Sequence, residues 1–109
     1  MNVANTHSGG TTISNATAYL YLQQYQALGT GPLTLSKAGG KMEVVPVGSA
    51  SVGIPGNVNV LDDFIIQFDG AGSFAGVILG NLNGASGKTL TLTPANTATT
   101  NRYRVYGTN

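Results

Sequence analysis

The sequence contains no cysteine, no tryptophan and a single histidine, and only 8% of its 109 residues are charged. Without cysteine there is no disulfide framework and no thiolate zinc or iron–sulfur site. Five Lys and Arg against four Asp and Glu leave a formal net charge of +1. Five scattered cations cannot neutralise a run of phosphates, so no nucleic-acid partner is expected. Residues 74–82 form the longest mostly apolar stretch, broken by Gly76, Gly80 and Asn81. About 20 such residues are needed to cross a bilayer, so no membrane partner is expected. The first six residues show neither a basic nor an apolar signal region, and synthesis in a cytosol is expected.

Glycine is plentiful, at 16 residues, and Thr, Asn and Ser supply most of the polarity. A surface soluble through hydroxyls and amides is weakly repellent, which suits a protein that works inside an assembly. Residues 1–17 are small and polar, with Val3 and Ile13 as the main apolar handles. They read as an extended arm, able to add a strand to an exposed sheet edge through main-chain hydrogen bonds.

Residues 18–109 read as a single β-rich domain. Residues 18–28 alternate, with Tyr19, Tyr21 and Tyr25 on one strand face, and their tyrosine content favours strand over helix. Further strands are expected over 32–36, 42–47, 58–61, 64–68, 74–79, 89–93 and 102–106, with Gly or Pro between them. Pro46 marks the 42–47 strand as an edge or a bulge. Spacings of about 8–12 residues predict an all-β fold, a small antiparallel β-sandwich or barrel-like domain with an extended N-terminal arm. The echo between residues 31–36 and 89–93 reads as common strand grammar rather than an internal repeat.

Several motifs imitate catalytic chemistry. Gly70-Ala71-Gly72-Ser73-Phe74-Ala75 spells a dinucleotide fingerprint. That motif must open a helix and needs an acid about 20 residues on, and no acid follows Asp69. Gly87-Lys88-Thr89 resembles the end of a P-loop, but Gly80 and Gly84 are out of register for its first glycine, so a turn lysine is expected. The only histidine, His7, lies in the arm, which leaves a serine triad without a base. Asp62 and Asp63 would face opposite sides of a strand, and Asp69 completes no convincing calcium set; turn-forming Asp is expected instead. Asn15-Ala16-Thr17 spells a sequon that has no meaning without secretion. The chain is therefore expected to be no enzyme and to hold no cofactor or metal. Arg102 and Arg104 share one strand face, as an edge or as a basic contact to a partner.

The succession Phe68-Asp69-Gly70, Ala75-Gly76-Val77-Ile78-Leu79, Lys88-Thr89-Leu90-Thr91-Leu92 and Arg102-Tyr103-Arg104-Val105-Tyr106, within residues 64–106, resembles the small head decoration (cement) proteins of lambda-like tailed phages. That resemblance implies a mostly β domain, a homotrimer, and an arm that pairs with the major capsid protein on the outer surface of a virion. It makes Val3, Asn5, Thr6, Thr11, Thr12 and Ile13 the expected capsid contacts. Tyr19, Tyr21, Tyr25, Arg102 and Arg104 are the expected oligomer or partner contacts. Two other readings compete. One is a different viral assembly module, such as a small coat, spike or fibre protein. The other is a carbohydrate-binding β-sandwich with the tyrosines as its sugar platform.

Overall fold

The computed structural model describes residues 8–22, 28–46, 52–54, 56–68, 76–94 and 102–105. Among these there are eleven strands and no helix: β1 (Thr11–Ile13), β2 (Thr17–Leu22), β3 (Leu33–Leu35), β4 (Gly40–Pro46), β5 (Val52–Ile54), β6 (Val58–Val60), β7 (Phe64–Phe68), β8 (Gly76–Leu79), β9 (Leu82–Gly84), β10 (Leu90–Pro94) and β11 (Arg102–Val105). They form three sheets, ordered β1-β3-β6-β9, β2-β4-β7-β10 and β5-β8-β11.

Every pairing is parallel. Thr11 stands beside Leu33, Leu33 beside Val58 and Val58 beside Leu82. In the second sheet Ala18, Met42, Ile66 and Leu92 stand in line. Each strand therefore pairs with a strand 22 to 26 residues away in sequence, with at least one strand of another sheet in between. This is a parallel β-solenoid with three faces. The expected antiparallel sandwich or barrel is overturned. The described connections, such as residues 36–39, 61–63 and 85–89, carry the chain onto the next sheet and are not hairpins that return it along its neighbour. The dozen or more residues that a parallel pairing requires are supplied by the rest of the coil.

The core follows from alternation. Leu33 and Leu35, Val58 and Val60, and Phe64, Ile66 and Phe68 point inward, while Thr34, Asn59, Ile65 and Gln67 between them are half-buried on the outer faces. Leu28, Met42, Val44, Ile54 and Leu79 complete the described interior, and no polar or charged side chain is buried among the described residues. A buried Phe or Leu contributes roughly 1.5–3 kcal/mol, so this stack of apolar side chains is the main source of stability.

Glycines shape the corners. Gly9, Gly31, Gly56 and Gly80 each stand two residues before a strand of the first sheet. A Cβ at Gly31 would overlap the carbonyl of Gly9, and one at Gly56 would overlap the carbonyl of Gly31. Successive coils approach there backbone to backbone, which only glycine allows. Gly39 and Gly87 adopt φ of 68° and 72° in the turns that lead from the first sheet to the second.

Pro46 ends β4, a central strand of its sheet. Pro46 lies beyond Gly40–Val44, the stretch of β4 described as paired with β7, at the level of Leu22 of β2, so the proline removes no N–H from that described pairing.

Candidate functional site: the outer faces of the coils

The second sheet presents two columns of outward side chains. Thr17, Lys41, Ile65 and Thr91 form one; Tyr19, Glu43, Gln67 and Thr93 form the other. Lys41 Nζ donates a hydrogen bond to Gln67 Oε1 at 3.2 Å and lies 3.8 Å from Glu43 Oε2. One cation, one anion and one amide from adjacent coils thus form a locally neutral polar patch. Tyr19 stands beside Glu43 on the outer strand β2 and is 58% exposed. A planar aromatic next to fixed hydrogen-bonding groups is the arrangement that sugar rings and amphipathic partners use.

The first sheet carries a different surface. Thr12, Thr34, Asn59 and Asn83 stand in one column. Asn83 Nδ2 donates to Asn59 Oδ1 at 3.2 Å, and Asn81 Nδ2 donates to Asn57 Oδ1 at 3.1 Å. The exposed amides bind one another between coils and so brace the face sideways.

The corner between these sheets holds the described aspartates. Asp63 Oδ1 accepts from the Thr89 backbone N–H at 2.8 Å, and its carbonyl accepts from the Gly39 N–H at 2.9 Å. Asp62 pairs with Lys88 at 3.3 Å. Lys88 lies just beyond a turn, its N–H bonded to the Ala85 carbonyl, and a strand rather than a helix follows at Leu90. The P-loop spelling is therefore a staple between coils. Among the described residues no group of three His, Asp or Glu is placed to hold a metal, and no helix is long and apolar enough to cross a membrane.

The expected site residues fall in several places. Thr11, Thr12 and Ile13 form β1, paired with Leu33, Thr34 and Leu35 of the same chain. Thr12 is exposed and Ile13 is half-buried against the core. Tyr21 lies in β2 at the level of Val45. Arg102 and Arg104 lie in β11, an outer strand of the third sheet among the described residues, at the level of Gly76 and Ile78. Val3, Asn5, Thr6, Tyr25, Asp69 and the Gly70-to-Ala75 motif lie outside the described residues. Lys41, Glu43 and Gln67 were not singled out from the sequence, because only the coil period brings them beside Tyr19. No family model, curated protein or solved structure matches the chain.

Proposed function

We propose that this chain is a non-enzymatic structural module of a virion, of the spike or fibre kind. The observation that carries the reading is the stacking of in-register coils on three faces. Among the described strands each coil pairs with the coil next to it and adds about 4.8 Å along one axis, so the fold reads as a quasi-one-dimensional strut. Its outer columns on the first two sheets are mostly Thr, Asn and Gln, and Lys41 with Glu43 and Lys88 with Asp62 pair locally. Such a surface suits crowded contact with neighbouring subunits rather than long-range attraction of a charged substrate. A head decoration role is the competing outcome, with the major capsid protein as partner. Immunogold labelling of particles with antibody to the folded chain separates the two. Label on a projecting appendage is expected; label spread over the shell supports the decoration role, and particles without label contradict both.

A second reading has its own observation. The Tyr19 ring beside Glu43, Gln67 and Lys41 offers a shallow platform for a neutral sugar. Binding on a glycan array that is lost in Tyr19→Ala supports it; silence of the unaltered protein removes it.

A further inference from the structure

We infer that Asn83 is a site of spontaneous deamidation, where the folded chain gains a carboxylate and, in part of the population, a lengthened backbone as it ages. Asn83 is the one asparagine in the sequence that glycine follows. Asn57, Asn59 and Asn81, on the same sheet face or its corner, are followed by Val58, Val60 and Leu82. Those branched side chains screen the peptide nitrogen that has to attack, and Gly84 has none. Asn83 and Gly84 are both exposed. A Cβ built on Gly84 meets nothing within 4 Å among the described residues, so that peptide group is not crowded by them. The Gly84 N–H also stands outside the β6–β9 ladder. Val58 N–H donates to the Asn81 carbonyl at 2.7 Å, and Ala85 N–H donates to the Val60 carbonyl at 2.9 Å. Alternate residues of a parallel strand bond to the same neighbour, so Ala85 faces β6 and Gly84 turns its N–H away from it. β9 is three residues long, so the backbone excursion that brings the Gly84 nitrogen onto the Asn83 side chain disturbs little pairing.

The step needs water and no other reagent. The Gly84 nitrogen gives its proton to hydroxide and attacks Cγ of Asn83. A C–N bond forms, the Cγ–Nδ2 bond breaks, and ammonia leaves with a proton taken from water. Water then opens the five-membered imide. Addition at Cγ gives aspartate; addition at the main-chain carbonyl gives isoaspartate, whose backbone runs through Cβ and Cγ. Both products act on the contacts between coils. Asn83 Nδ2 donates to Asn59 Oδ1 at 3.2 Å. A carboxylate has no donor to offer, so Asn59 must turn its amide over to keep the contact. Isoaspartate also adds a methylene to the main chain ahead of Gly84, which carries Gly84 and Ala85 out of register with Val60. The conversion is a property of this coil whether or not the chain belongs to a virion.

The test is peptide mapping by mass spectrometry of the purified chain held in warm, mildly alkaline buffer, with circular dichroism recorded alongside to follow the fold. The peptide that carries Asn83 is expected to gain the mass difference of amide to acid and to split into two chromatographic products. Its conversion is expected to run about tenfold faster than at Asn57, Asn59 or Asn81. Gly84→Ala places its methyl in open space, so it is expected to fold like the parent and to lose most of the conversion. Asn83→Gln forces a six-membered ring and is expected to lose it as well. A parallel sample unfolded in urea separates the folded chain's chemistry from that of the bare sequence. Conversion in urea but not in the folded chain overturns the inference, because β9 then holds the two groups apart. So does a rate at Asn83 no greater than at the other three asparagines, or a Gly84→Ala chain that converts as fast as the parent.

Discussion

Asn59 and Asn83, 24 residues apart in sequence, stand one above the other on the outer face of the first sheet and share a 3.2 Å amide–amide hydrogen bond. The same interval separates Asn57 from Asn81, joined at 3.1 Å. Since both bonds are exposed, each is worth little alone. Asn59→Ala and Asn83→Ala are each expected to cost about 0.5–1 kcal/mol, and the double variant less than their sum. Urea unfolding of the two single variants and the double variant measures the coupling; fully additive losses would show that the bond contributes nothing.

The glycine column is a sharper test of how tightly the coils approach. Gly31→Ala and Gly56→Ala each drive a methyl group into the carbonyl of the preceding coil. An expected loss of about 1–3 kcal/mol follows from the overlap. Gly84→Ala meets open space and is expected to change stability by less than about 0.5 kcal/mol. Midpoints of chemical denaturation rank the three variants, and a Gly56→Ala protein as stable as Gly84→Ala would contradict the close approach.

At the corner between the first two sheets, the adjacent aspartates are expected to differ. Asp63→Ala leaves the Thr89 N–H without its 2.8 Å acceptor and should cost about 1 kcal/mol. Asp62→Ala removes a partly exposed ion pair with Lys88 and should cost well under 1 kcal/mol, less still in high salt. Thermal melts at two salt concentrations distinguish them; equal losses would mean that the backbone staple is not what holds the corner.

Much of the strand content was legible from alternation. Residues 64–68 are the strand expected, and the expected strands over 32–36, 42–47, 58–61, 74–79, 89–93 and 102–106 each contain or overlap an observed one. The three missed strands, β1, β5 and β9, are three residues long. A strand that short offers one inward pair and no clear period. Pairing was not legible, because a sandwich and a solenoid both bury one face of each strand and write the same alternation. The distinguishing signal was the interval. Gly9, Gly31, Gly56 and Gly80 each precede by two residues a triplet centred on Thr12, Thr34, Asn59 or Asn83. That Gly-x-x-(Thr/Asn) recurrence at 22 to 25 residues is an internal repeat, distinct from the Thr–Leu echo between residues 31–36 and 89–93, whose strands lie in different sheets. The patch around Tyr19 was hidden for the same reason. Glu43 and Gln67 become its neighbours only after the coil period is known.

Parallel stacking of the coils underlies the fold, and its most direct measurement is the pattern of interstrand proton contacts in the isotope-labelled protein. Parallel stacking predicts contacts from Met42 to Ile66, from Glu43 to Gln67 and from Leu33 to Val58, with the interval constant along each strand pair. Contacts whose interval shrinks by two at each step, with close Hα–Hα pairs between neighbouring strands, would mean antiparallel hairpins and would contradict the solenoid and every inference drawn from it.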